Sequence, residues 1–186
     1  MIAGPNGAGK TTFVLELINN SPKVYEFINA DEIAKGLAPL HPETMALSAS
    51  KLMIKRFLEL LKAHKNFAFE TTASGTNYVK HLKSAKKYYQ IHLVFLWLKT
   101  PEQAIGRVTE RVKQGGHSIP EETIRRRYVA GIKNLLKHYL PLADTALIID
   151  NSQEEVPRKL IAEKSINKSL NVVNKHIWRK IEEGSI

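Results

Sequence analysis

The residues Gly4-Pro5-Asn6-Gly7-Ala8-Gly9-Lys10-Thr11-Thr12 constrain this chain more than any other stretch. They fit the spacing G-x-x-x-x-G-K-[ST], the phosphate-binding loop known as Walker A. A backbone that wraps an anion turns its N–H groups inward, and a Cβ at the wrong place blocks the wrap or forbids a positive φ. Lys10 is expected to reach the β- and γ-phosphates of a nucleoside triphosphate, and Thr11 to offer its hydroxyl to Mg²⁺. A helix starting at Lys10 would aim the positive end of its dipole at the same anion. The run from Gly4 to Thr12 is therefore the candidate nucleotide site, with ATP or GTP and Mg²⁺ as the implied cofactors. A coincidental glycine turn competes, but average composition gives the pattern in roughly one chain of this length in a few hundred. The flanks also suit the loop: apolar Met1-Ile2-Ala3 precedes it, and Phe13, Val14, Leu17 and Ile18 follow at helical spacing. The dinucleotide pattern G-x-G-x-x-G is not met.

At 186 residues the chain is most simply one domain with room for a substantial core. It has no cysteine, which removes disulfides, zinc thiolates and thiol nucleophiles. No signal peptide and no apolar run of membrane-spanning length appears, so a cytoplasmic enzyme with no membrane partner is the expectation. The formal net charge is +10, and between Arg107 and Lys137 eight lysines and arginines face three acids. Such a field favours polyanions, nucleotides or nucleic acid, although a merely solvated basic surface fits charge alone equally well.

Met1-Ile2-Ala3 is short for a strand ahead of such a loop, and the expectation is that the natural chain begins some residues upstream. Val24–Ile28 reads as a second strand ending in Asn29-Ala30-Asp31. Asp31 could cap a short helix over Glu32–Leu37, or act chemically, because ligand sites in open α/β sheets lie at the carboxyl ends of strands. A long helix follows Pro42, with a core stripe of Met45, Ala49, Leu52, Met53, Phe57, Leu60 and Leu61. Asn66–Thr71 is a third strand that delivers Glu70 and Thr71 to the same edge, and Thr76–Tyr88 a solvated helix rich in lysine. Gln90–Leu98, nearly all apolar, suits a central parallel strand. The helix opened by Pro101 puts Arg107 and Arg111 on one face. Gly115-Gly116 then interrupts it, and a second helix carries Arg125, Arg126 and Arg127 beside the stripe Ile124, Tyr128, Ile132, Leu135, Leu136 and Tyr139. Two arginine-lined helices joined by a glycine hinge suggest a mobile lid, with His117 as a surface residue of the hinge. Ala146–Asp150 is a fifth strand. Lys159–Lys164 and Leu170–Val173 make an antiparallel hairpin, and Asn174 caps a helix whose Ile177, Trp178 and Ile181 should dock on the body. The alternation predicts a three-layer α/β/α phosphate-loop fold with a mainly parallel five-stranded sheet, a helical lid, and a C-terminal hairpin plus helix. Residues 1–150 would form the core, with the lid at about 101–140, and residues 151–186 would pack on it.

With these blocks in view the chain resembles the zeta-toxin-like kinases, a branch of the phosphate-loop kinases. The resemblance rests on GPNGAGKTT, FINADEIA, FAFETTASG and RVTERVKQGGHSIPEETIRRRYVAG, and spans most of Ile2 to Asp150. It implies that Asp31 accepts the proton of the attacking hydroxyl and that Lys10 assists catalysis. Glu70 and Thr71 fall where the family contacts substrate or Mg²⁺. Arg111 with Arg125 or Arg126 would clamp the transferring phosphoryl group, with Arg107 as a neighbour one turn away that could serve instead. It further implies an acceptor among UDP-activated amino sugars and, for a toxin, a small separately encoded antitoxin.

The expected activity is thus transfer of a γ-phosphate to a hydroxyl of a small anionic metabolite. The alternatives are a nucleic-acid end kinase and a regulatory nucleotide-binding ATPase. Nucleic acid is less favoured, because only Tyr128 and Tyr139 offer stacking surfaces in the basic segment.

Overall fold

The computed structural model describes residues 1–20, 26–116, 118–153 and 158–184. The first half runs β1 (Ile2–Ala3), α1 (Lys10–Asn20), β2 (Phe27–Ile28), α2 (Ala30–Leu37), a 3-10 turn (Pro42–Met45), α3 (Ala46–Lys62), β3 (Ala68–Thr71) and α4 (Val79–Ala85). Then come β4 (His92–Trp97), α5 (Pro101–Lys113), α6 (Glu121–Asn134), a π turn (Leu135–Tyr139), α7 (Leu140–Leu142), β5 (Thr145–Asp150), β6 (Lys159–Lys164), β7 (Asn171–Val172) and α8 (Lys175–Glu183).

Among the described residues these strands form one sheet of seven in the order β2-β3-β1-β4-β5-β6-β7. The first five are mutually parallel, and β6 and β7 run antiparallel at one side. The expectation of five strands is corrected here: the C-terminal hairpin extends the sheet. Its physical reason is β5, which would otherwise present a long row of unpaired backbone groups at an open edge. Pairing Ala146–Asp150 with Lys159–Lys164 covers that row, with one register shift at Ile148/Ile149.

The central strands bury both faces, as parallel strands under helices do. Leu93, Phe95 and Trp97 alternate with Leu96 along β4, and all four are buried. β1 and β3 divide their side chains in the same manner. Ile2 and Ala68 pack with Val14 of α1, whereas Ala3 and Phe69 belong to the main core with Met53, Phe57 and Leu60 of α3. The α3 stripe is narrower than its sequence suggests: Ala49, Met53, Phe57 and Leu60 keep an i, i+4, i+3 spacing, while Leu52, one step off that line, is 43 % exposed. The α4 helix is also shorter than Thr76–Tyr88. Val24 and Tyr25 of the expected second strand lie outside the described residues.

Topology puts the loop after β1, Asn29 after β2, Glu70 at the end of β3 and Asn151 after β5 on one edge of the sheet. Five parallel strands that share one carboxyl edge bring together residues up to about 140 positions apart in the chain, and the site lies on that edge.

Candidate functional site at the carboxyl edge

The phosphate loop depends on three glycines with positive φ: Gly4 at 144°, Gly7 at 74° and Gly9 at 75°. Gly4 is also a close approach, since a Cβ there would stand 2.3 Å from the Leu96 carbonyl oxygen of β4. Lys10 is only 7 % exposed. Its Nζ donates to the Pro5 carbonyl at 3.0 Å and lies 3.6 Å from Glu70 Oε1. Burial pushes the Lys10 pKa below its ordinary value; the carboxylates of Glu70 and Asp31 oppose that shift, and Arg111 adds to it.

Glu70 is the node of the site. Its Oε2 accepts from Thr11 Oγ1 at 2.8 Å and from Asn29 Nδ2 at 2.9 Å. Asn29, buried, caps α2 by accepting from the Asp31 amide at 2.8 Å. The helix therefore starts at Ala30 with Asn29 as its cap, and the cap reading of Asp31 is corrected. Asp31 sits instead in the first turn, where an acid also complements the helix dipole. Asp31, Glu70, Lys10, Asn6 and Arg127 line one cavity of about 320 Å³, and the apolar Ala34, Met53 and Ile54 are also in its lining. Asn6 is buried, and its Oδ1 has no hydrogen-bond partner among the described residues, so a bound molecule can supply the missing donor.

Arg127 reaches this cavity because α6 packs tightly on the loop after β3. A Cβ at Gly131 would stand 2.7 Å from the Thr72 carbonyl oxygen, and Asn134 Nδ2 donates to the Ala73 carbonyl at 2.9 Å. Tyr128 and Tyr139 anchor the same segment through their hydroxyls, which donate to the Leu98 and Gly75 carbonyls, each at 2.6 Å. Burial pushes both phenols up to about 12. Arg127 comes one turn before Gly131 on the cavity side. Its pKa is lowered by burial, with Asp31 opposing and Arg126 adding to the shift.

A second cavity of about 600 Å³ opens on the other side of the loop, lined by Gly7, Gly9, Thr12, Arg107, Arg111, Asn151 and Arg158 among others. Arg107 Nη1 donates to the Asn151 carbonyl at 2.8 Å. Arg158 pairs with Glu16, its Nη2 donating to Oε1 at 3.0 Å, and its guanidinium lies 5.2 Å from the centre of the Phe13 ring.

The arginines thus separate. Arg107 and Arg111 go together, as their spacing predicts, but to the second cavity and not to the one that holds Asp31. Arg125 lines neither: it is paired with Glu102 of α5 and about half exposed. Arg126 is exposed. The expectation of Arg125 or Arg126 at the site gives way to Arg127. On a wheel drawn through Ile124, Tyr128 and Ile132, Arg125 and Arg127 flank the buried stripe on opposite sides, and Arg126 points away. Only the packing of α6 decides which flank meets the cavity. Thr71 lines the first cavity, and its Oγ1 accepts from the Ala73 amide at 3.1 Å. His117 lies outside the described residues. Asn29 and Asn151 were absent from the sequence candidates; their signal is position, each being the first residue after a parallel strand.

For a divalent cation, the Thr11 hydroxyl and the Glu70 carboxylate offer hard oxygen donors beside the loop. Among the described residues no group of three or more His, Cys, Asp or Glu could form a cage.

Comparison with known proteins bears on the family and the fold. The AAA domain family matches residues 1–128. An uncharacterized protein of Haemophilus influenzae is 32 % identical over 126 residues, which span 67 % of this chain and 88 % of that protein. In three dimensions the chain is similar to one from the PezAT chromosomal toxin–antitoxin system of Streptococcus pneumoniae. The TM-score is 0.62 at 16 % identity, over 98 % of this chain and 83 % of the other. At that identity the likeness concerns the fold, an α/β phosphate-loop fold with a mixed sheet. No helix among the described residues is long and apolar enough to cross a membrane.

Proposed function

The chain belongs to the AAA domain family, and from that premise we propose that it is a kinase. It moves the γ-phosphoryl group of a nucleoside triphosphate to a hydroxyl of a small acceptor. The observation that carries this reading is Asp31 in one cavity with Lys10 and Glu70, while a separate cavity opens across the loop. A nucleotide with its β- and γ-phosphates at Lys10 extends its base and ribose into the second cavity. The first then lies beyond the γ-phosphate, where an in-line acceptor has to sit.

The loop amides and Lys10 hold the phosphates, and Arg127 faces the transferring group from α6. The acceptor oxygen forms the new bond to the γ-phosphorus as the bond to the β–γ bridging oxygen breaks, and the nucleoside diphosphate leaves. The acceptor's proton passes to the Asp31 carboxylate. Thr11 and Glu70 would hold Mg²⁺, which would supply neutralisation of the phosphate charge. A simple ATPase does not need the first cavity, with the apolar Ala34, Met53 and Ile54 in its lining and the partnerless buried amide oxygen of Asn6, and these favour an organic acceptor. Lys10 and Arg127 in that cavity are matched by Asp31 and Glu70, so an anionic acceptor is favoured by the basic character of the whole chain and not by this lining. The resemblance to zeta-toxin-like kinases suggests a UDP-activated amino sugar, and the PezAT likeness suggests a protein inhibitor as a partner.

The test is a screen with γ-labelled ATP and Mg²⁺ against nucleotide sugars and other hydroxyl-bearing metabolites, with products identified by mass spectrometry and Lys10→Ala as the control. A phosphorylated product made by the wild type alone is expected. Nucleotide binding with no transfer to any member of the panel would count against a kinase and for a nucleotide-binding ATPase.

A further inference from the structure

A phosphate loop presents its amides inward only if its carbonyls point outward, and each outward carbonyl needs a donor. Here one donor comes from a residue far away in sequence. Asn151 Nδ2 donates to the Ala8 carbonyl at 2.8 Å, across 143 positions. Asn151 is itself held on three sides. Its amide donates to the Trp97 carbonyl at 3.0 Å, its carbonyl accepts from Arg107 at 2.8 Å, and its Oδ1 accepts from Arg158 Nε at 3.3 Å. Arg158 is in turn fixed to α1 by Glu16 and Phe13. The fit is close: a Cβ at Gly9 would stand 2.9 Å from Asn151 Nδ2.

We propose that Asn151 is a positioning residue that latches the outer rim of the phosphate loop, so that the loop is set for phosphate before a nucleotide arrives. The Asn151 side chain ties the rim to the carboxyl end of β5, Arg158 holds that side chain and Arg107 the Asn151 backbone carbonyl, and Arg107 Nη1 also reaches the Gly7 carbonyl at 3.5 Å. The proposal rests on the loop binding phosphate and is independent of what the acceptor is.

Asn151 also borders the second cavity, so its loss could weaken nucleotide binding either through the loop or through a lost contact to base or ribose. Inorganic pyrophosphate separates these, because it has phosphates and no base. Mg-ATP and Mg-pyrophosphate are titrated calorimetrically into the wild type, Asn151→Ala and Asn151→Leu, the last close in size to Asn but without a donor. Each titration is made well below the thermal midpoint of its variant, so that every sample is folded. The expected result is a loss of roughly tenfold in affinity for both ligands and in both variants, as for one hydrogen bond made to the bound conformation. Loss for ATP with pyrophosphate unchanged would overturn the proposal and make Asn151 a base or ribose contact. Unchanged affinity for both would overturn it outright. Should the wild type bind neither ligand, the nucleotide reading of the loop would fall, and this inference with it.

Discussion

Burial lowers the Lys10 pKa, and the carboxylates oppose that shift, Glu70 most of all from 3.6 Å. Bound phosphate favours the charged form still more, so nucleotide affinity should fall as pH rises through the lowered pKa of the free protein. Removing Glu70 lowers that pKa further. In Glu70→Gln the fall in Mg-nucleotide affinity should therefore begin at a lower pH than in the wild type, as measured by titrations between about pH 7 and 10. A profile of unchanged shape would mean that Glu70 does not set the Lys10 proton. Asp31 predicts a different split. With Asn29 holding the cap of α2, Asp31→Asn leaves the helix intact, so nucleotide affinity should persist while turnover with the acceptor drops roughly 10²–10⁴-fold. Turnover near the wild-type rate would remove it as the base. Asp31 and Glu70 were legible in the sequence because each ends a β pattern at the binding edge. Arg127 was not, since three adjacent arginines look alike until the rotation of α6 about its axis is known.

That rotation is a property of the element and its contact. Gly131 lets the backbone of α6 approach the Thr72 carbonyl, and a Cβ there would stand 2.7 Å from that oxygen. Gly131→Ala should cost about 1–3 kcal/mol through overpacking, despite its better helix propensity, and should lower turnover more than nucleotide affinity because Arg127 rides on the displaced helix. Gly106 in α5 is the contrast. Nothing lies within 4 Å of a Cβ there, so Gly106→Ala should stabilise by about 0.5–1 kcal/mol. Denaturant midpoints of the two variants should move in opposite directions, and a common direction would show that the Thr72 contact does not limit α6. The sequence read most element identities from periodicity. It missed element ends where a cap one or two residues earlier, as at Asn29, moved the start of a helix.

At the scale of the molecule the C-terminal segment ties the sheet together. The hairpin gives β5 a partner, and α8 docks by its indole and one fully buried aliphatic side chain, Trp178 and Ile181. If residues 159–183 belong to the same cooperative unit as the loop, Ile181→Ala should lower stability by about 2–5 kcal/mol in a single transition and leave nucleotide affinity unchanged below it. Two separate transitions would make the C-terminal segment its own unit. The net charge of +10 also gains meaning only at this scale. Arg125 pairs with Glu102 on the surface and Arg158 with Glu16; Arg107, Arg111 and Arg158 line one cavity and Arg127 the other.

By itself the sequence determined the phosphate loop, the alternation of strands and helices, and the two acids at strand ends. Each of these is written in spacings of a few residues, where backbone geometry acts locally: glycine freedom, a period of 2 or 3.6, a cap. The tertiary structure alone decided the union of hairpin and sheet, the division of the arginines between two cavities, and the Asn151 latch on Ala8. Those depend on strand order and on how a helix is turned against its neighbour, and both are set by contacts between residues tens to more than a hundred positions apart. A chain read in order carries no distance between such residues; the packed core supplies it.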